Sequence, residues 1–394
     1  MNRRQLLKFL AALPAAGVTG RLLAVPATNT KLLVVFLRGG YDAASLLVPI
    51  SSSFYYEARP NIAVPRPAAD LNAGIALDAD WGLHPVLRDT VYRLFQNKEV
   101  AFVPFAGTDD LSRSHFETQD SIELGQALDH SRNFQSGFLN RLASVLNGGE
   151  PIAFTDQLPL VFHGDVQVPN TALRSIAKSG LDTRQSRIIA DMYQSTRLAA
   201  KVNEGFEVRE EVMREMAGEM EAANRNAVST KGFELEARRI AKLMRDKYSI
   251  GFVDVGGWDT HVGQGGATGY LAGRLDELGR GLAGFADEMG IVWANTVVAV
   301  ISEFGRTFRE NGNRGTDHGH GTVYWIMGGS IRGGRVAGEQ VRVDQRSLFQ
   351  DRDYPVLNEY RAVFAGLFAR MYGLSAGQLD KVFTGVRPKD IGVL

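Results

Sequence analysis

Three short runs, KLLVVFL (Lys31–Leu37), EVAFVPFAG (Glu99–Gly107) and NTVVAVI (Asn295–Ile301), are apolar without alternation, and each leads into a Gly-rich or charged loop. A strand with one wet face alternates apolar and polar side chains, whereas an unbroken apolar run needs cover on both faces. SIGFVDVGGWDTH contains a run of the same kind, as does TVYWIMGG (Thr322–Gly329), and PLVFHGD (Pro159–Asp165) is a further candidate strand. Between them lie helical patterns: LHPVLRDTVYRLFQN, YLAGRLDELGRGLAGFADEMG and the C-terminal YPVLNEYRAVFAGLFARMYGL. Strands alternating with helices predict an α/β fold, a three-layer sandwich around a mostly parallel sheet. The charged stretch from about 186 to 248 reads as a helical insertion, and residues 28–394 read as one domain.

Bulk properties exclude several functions. Lys plus Arg and Asp plus Glu number 44 each, so no basic excess points to nucleic acid or to an anionic membrane surface. Cysteine is absent, which removes disulfides, thiolate nucleophiles and Cys-ligated metals. Any metal must be held by His, Asp, Glu and oxygen donors. The first 27 residues, MNRRQLLKFLAALPAAGVTGRLLAVPA, have the form of a twin-arginine export signal: Arg3 and Arg4, a moderate apolar stretch, and small residues before a cleavage point after Ala27. The twin-arginine export machinery is therefore an expected partner and the periplasm or exterior the expected location. Pro14 and Gly17 interrupt the apolar part, so no stable membrane anchor is expected.

In open α/β sheets, sites form at the carboxyl ends of the strands. Four predicted strand ends carry polar clusters: RGGYDAAS with Asp42; TDDLSRSHFETQD with Arg113, Ser114 and His115; GGWDTH with Asp259 and His261; and SEFGRT with Glu303 and Arg306, followed by Asp317, His318 and His320 in DHGHG. Carboxylates and imidazoles at such ends suit a divalent ion, zinc first, with manganese or calcium as alternatives. Simpler roles exist for each. Asp42 can cap a helix, Ser114 with Glu117 forms the S-x-x-E signature of a helix start, and His84 in GLHP reads as a helix-start residue. Glu303, at the end of an apolar strand, reads as a partly buried carboxylate that needs a cation, a metal or Arg306, or several hydrogen-bond donors.

FLRGGYDAASLLVP, GLHP, SRSHFETQD, GGWDTH, SEFGRT, GTDHGHG and GGSIRGGRV together resemble the exported family catalogued as domain of unknown function 1501, DUF1501, over most of the chain after residue 27. That family is placed in the alkaline phosphatase-like superfamily, with the sulfatases and the cofactor-independent phosphoglycerate mutases. The resemblance implies an alkaline phosphatase-like fold and one or two divalent ions at strand ends. It implies Asp42, Asp259, His261, Glu303 and His318 as ligands, with Ser114 or a bound water as nucleophile and Ser112 as an alternative serine. Arg306 then joins Ser114 as a catalytic group, and Arg113, His115, Asp317 and His320 bind substrate. Phe304 stands where a second-metal ligand is expected, and no Cys-x-Pro-x-Arg or Ser-x-Pro-x-Arg sulfatase signature is present. The function implied is hydrolysis of a phosphate or sulfate ester on a small molecule or polysaccharide. The alternatives are a non-catalytic binding or assembly protein that keeps the fold, and a metal-dependent transferase acting on envelope polysaccharide or lipid.

Overall fold

The computed structural model describes residues 30–129, 131–172, 191–202 and 232–394. The twin-arginine segment, His130 and much of the expected helical insertion (186–190 and 203–231) lie outside the described residues. In chain order the strands are β1 (Lys31–Leu37), β2 (Leu47–Val48), β3 (Ile75–Ala76), β4 (Gly82–Leu83), β5 (Val100–Gly107), β6 (Pro151–Ala153), β7 (Ile250–Val255), β8 (Thr296–Ser302), β9 (Thr322–Met327), β10 (Arg335–Val336) and β11 (Asn358–Glu359). The main sheet runs β10-β5-β9-β8-β1-β7-β6, with β11 also pairing β5, while β2, β4 and β3 form a small separate sheet. Within the main sheet every pairing is parallel except the two made by β9. A single reversed strand therefore interrupts an otherwise parallel sheet.

β1 shows why its residues are apolar throughout. Leu33, Val35 and Leu37 enter one buried cluster, with the helices Phe233–Asp246 and Tyr270–Met289. Leu32, Val34 and Phe36 enter a second cluster, with the helices Phe138–Leu146 and Tyr360–Tyr372. Successive side chains of a strand point to opposite faces, so a strand between two helical layers is apolar at every position. The expected three-layer α/β arrangement is thus present. The Phe233–Asp246 helix lies within the stretch read as a helical insertion, and it packs on the core.

One expected strand is absent. PLVFHGD forms a 3-10 turn at Leu160–Phe162, with Val161 and Phe162 buried. Four apolar residues cannot distinguish a strand from a buried turn by periodicity. The strand that does occupy that edge, Pro151–Ala153, has three residues, too few to show any period. Because successive side chains of β1 face different layers, Val34→Thr and Val35→Thr are each expected to destabilise the protein, by about 1–3 kcal/mol. Urea denaturation measures this, and sparing of either variant would mean that one face of the sheet is open to water.

Candidate metal centre

The parallel strands deliver their carboxyl ends to one edge of the sheet, and antiparallel β9 begins at that edge. The segments that meet there are the loop after β1, the approach to the His115–Leu124 helix after β5, the loop after β7, and the long connection from β8 to β9. That connection folds back on itself: Gly305 N donates to the His320 carbonyl, Thr307 N to Asp317 and Gly319 N to Gly305. It also pairs with the loop after β7, through Thr316 N to Thr260 O and Gln264 N to Arg314 O. The chain reversals bring Asp259, His261, Asp317 and His318 together. Gly39, at φ +122°, lies against the backbone of Trp258 and Asp259, where an added Cβ would stand 2.8 Å from Asp259 N. Only glycine permits both that φ and that approach.

Three imidazoles gather on Asp259. His261 Nε2 lies 2.9 Å and His318 Nε2 3.3 Å from Asp259 Oδ1, and His115 Nε2 lies 3.5 Å from Oδ2. His261 Nε2 and His318 Nε2 are 3.1 Å apart. Each opposite nitrogen meets an oxygen that can only accept: His115 Nδ1 meets Glu303 Oε1 at 2.8 Å, His261 Nδ1 meets Asp317 Oδ1 at 3.2 Å, and His318 Nδ1 meets the Arg113 carbonyl at 3.0 Å. A proton on each Nδ1 leaves each Nε2 with its lone pair directed into the cluster. His115 Nε2 is buried without a hydrogen-bond partner among the described residues, the kind of orphaned donor set a cation satisfies. Ligand atoms about 2.0–2.1 Å from a tetrahedral zinc stand roughly 3.3 Å from one another. The observed separations fit that spacing, and His115, Asp259 and His318 form a group able to hold an ion. His261 lies against Asp259 and His318 but outside that three-residue group.

The electrostatics follow from the same contacts. The hydrogen bond to Glu303 raises the His115 pKa above the usual imidazole value. Burial lowers that of His318, favouring its neutral, ligating form. Burial pushes Asp259 upward, but the hydrogen bond and charge of Arg306 outweigh it and hold the carboxyl below its ordinary range. The amide of Asn311 and the ring of His261 likewise lower Asp317.

Several expected roles change. Asp42 lies outside the group able to hold an ion: it is 1% exposed, and Arg59 Nη1 and Nη2 bind its two oxygens at 2.5 and 2.9 Å. Ser45 and Gln264 donate to it as well. A guanidinium thus occupies the coordination a cation would use. Glu303 lies outside the group able to hold an ion, and Arg306 binds Thr316 and Asp259 instead of it. Glu303 accepts from Gly39 N, His115, Gln119 and Ser302, each at 2.8 Å, so it stands behind His115. Those hydrogen bonds, His115 first, overcome burial and keep its pKa below normal. His115 lies within the group able to hold an ion, and Asp317 meets the far nitrogen of His261. Arg113 does not present its guanidinium for substrate, because Nε and Nη2 are bound to buried Asp353. What reaches the cluster is its carbonyl, turned there by a left-handed φ of +52°. Arg306 has all three nitrogens engaged, Nη1 with Asp259 at 2.6 Å and the others with Thr316.

His320 packs on Phe349 rather than joining the cluster. Ser114 caps the His115–Leu124 helix through the Glu117 amide, as its sequence context predicts. His84 likewise caps the turn at Pro85–Leu87. Phe304 is buried, with its ring 4.8 Å from His115 and 5.2 Å from His318, so an apolar wall fills the place of a second-metal ligand.

Two outcomes follow. Asp317→Ala should weaken metal binding about 10–100-fold by freeing the His261 ring, as titration against a chelator would show. Arg59→Met should cost about 3–5 kcal/mol, because it strands a buried carboxylate. Burial raises the Asp42 pKa, but Arg59 outweighs it and the net shift is downward. The pair's stabilisation is therefore complete above the ordinary carboxylate range and is lost as pH falls through the depressed value. Arg59→Met should remove that acid limb from a stability–pH curve.

A sequence comparison with curated proteins finds no match. Among solved structures, a protein of the alkaline phosphatase superfamily from Vibrio parahaemolyticus aligns at 13% identity and TM-score 0.35, over 83% of this chain and 69% of that one. Ps i-CgsB, solved in complex with k-i-k-neocarrahexaose, aligns at 9% identity and TM-score 0.39, over 92% of this chain and 75% of that one. Residues 29–383 match the family model described as "Protein of unknown function (DUF1501)". That match spans most of the sequence, and the chain belongs to the DUF1501 family.

Proposed function

We propose that this protein is an exported metal-dependent hydrolase of phosphate or sulfate esters. The observation that carries the reading is the convergence of three imidazole Nε2 atoms on Asp259 while every Nδ1 is held by an oxygen acceptor. Three imidazoles and one carboxylate are the donors zinc prefers, with manganese as the alternative, and a nitrogen-rich set with so few oxygens disfavours calcium, which takes about six to eight oxygen ligands. When bound, such an ion polarises an ester oxygen and lowers the pKa of a water molecule. Glu303, Asp317 and the Arg113 carbonyl hold the three rings in the ligating tautomer. Arg306 keeps Asp259 ionised. Ser114 Oγ has only the Glu117 amide as partner among the described residues and no base to take its proton, so water rather than serine is the nucleophile in this reading. Export by the twin-arginine route is part of the same proposal and rests on the N-terminal sequence. No helix among the described residues is long and apolar enough to cross a membrane.

Arg59 on Asp42 and Phe304 against the histidines favour a second reading, in which the family fold keeps one ion and binds a ligand without turning it over. Elemental analysis of the purified chain, joined to assays on p-nitrophenyl phosphate and p-nitrophenyl sulfate, separates the two. Hydrolysis with about one equivalent of metal, both lost in Asp259→Ala and His318→Ala, is the expected result. Metal without turnover on either ester class would favour the binding protein, and a folded wild type that takes up no metal would remove the hydrolase reading.

A further inference from the structure

Arg306 is the end of a chain of buried hydrogen bonds that begins at the Arg59–Asp42 pair. Gln264 Nε2 donates to Asp42 Oδ2 at 2.6 Å. Thr316 Oγ1 donates to Gln264 Oε1 at 3.1 Å, and Thr260 Oγ1 donates to the same oxygen at 3.0 Å. Arg306 Nε donates to Thr316 Oγ1 at 3.2 Å, Nη2 to the Thr316 carbonyl, and Nη1 to Asp259. Chemistry fixes the direction from both ends. A carboxylate only accepts, so the Gln264 nitrogen faces Asp42 and its oxygen faces Thr316. A guanidinium only donates, so the Thr316 hydroxyl accepts from Arg306 and passes its own hydrogen to Gln264. Gln264, Thr316 and Arg59 are 0% exposed and Asp42 is 1% exposed, so water does not compete for the links from Arg59 to Thr316.

We propose that Gln264 and Thr316 are positioning residues of the metal centre, which hold the Arg306 guanidinium in the orientation that fixes Asp259 among the three imidazoles. This rests on the reading of the cluster as a metal site. Arg306 is a long side chain, and its Nη1 reaches Asp259 in one geometry because Nε and Nη2 are both anchored on Thr316. Thr316 is anchored in turn by an amide that the buried ion pair orients. The ion pair, remote from the imidazoles in its contacts, thereby acts on the ligand carboxylate through two neutral side chains.

The test is zinc affinity, measured by competition with a chromophoric chelator alongside melting temperature, in Thr316→Val, Gln264→Met, Arg306→Met and the double variants. Thr316→Val and Gln264→Met are each expected to weaken zinc binding about 10–100-fold, and to have no further effect in the Arg306→Met background. Thr316→Ser, which restores the hydroxyl, is expected to restore affinity. Should Gln264→Met fail to fold, the Thr316 series and its Arg306 doubles decide the matter. Melting temperatures that fall while affinity stays at the wild-type value would overturn the inference by making the chain merely structural. Effects that persist in full on Arg306→Met would also overturn it. A wild type that binds no zinc would overturn the metal reading and this inference together, an outcome distinct from tight binding by every variant.

Discussion

Three imidazoles converge on one carboxylate only when each ring is held from behind, since two or three Nε2 lone pairs brought together repel one another. Here the holding is done by Glu303 and Asp317, both on the β8–β9 connection, and by the Arg113 carbonyl, before the His115–Leu124 helix. Each support is itself fixed. Glu303 takes hydrogen bonds from the Gly39 amide and from Gln119 and Ser302, Asp317 takes one from Asn311, and the Arg113 backbone is turned into place by a guanidinium bound to buried Asp353. Second partners of this kind set tautomer and ring orientation, so the site's properties reside as much in these residues as in the ligands. Loss of one support releases one ring and leaves the others assembled.

The sheet supplies the common edge on which these segments meet. β1 sits between β8 and β7, and the loops after all three carry site residues. β9 runs the other way and so starts at the same edge, which lets the residues just before it, Asp317 and His318, face the loop after β7. A parallel strand in that position would have placed these residues at the far end of the sheet. The one antiparallel strand is therefore what closes the site.

Much of this was legible in the sequence, and the illegible parts have physical causes. β1, β5 and β8 are readable because cover on both faces removes polar residues from the whole run. The four polar clusters are readable because they follow those runs. Strand direction is not readable, since β9 has the same apolar character as its parallel neighbours. Asp42 looked like a ligand because nothing local distinguishes a carboxylate awaiting a metal from one paired with an arginine 17 residues further on. His115 followed a helix-capping serine and was read as a substrate contact. Its contacts in the fold are with Glu303, 188 positions away, and with Asp259. Glu303 was rightly marked as a buried carboxylate in need of donors. Those donors are an amide, an imidazole and two neutral side chains, and no sequence spacing connects most of them to it.

On the proposed metal reading, charge bears on the number of ions. Asp259 lies within the cluster, Glu303 and Asp317 touch it through His115 and His261, and Arg306 is the guanidinium bound to it. With the imidazoles neutral, three carboxylates and one guanidinium leave two negative charges, which one divalent ion cancels. Asp42 adds nothing to this balance because Arg59 neutralises it at contact distance. A second divalent ion would leave uncompensated positive charge beside Phe304, an apolar ring that offers it no donor, with Arg306 already in place. On the proposed metal reading, a guanidinium at Asp42 and an aromatic ring against the histidines leave donors for one ion, beside Asp259.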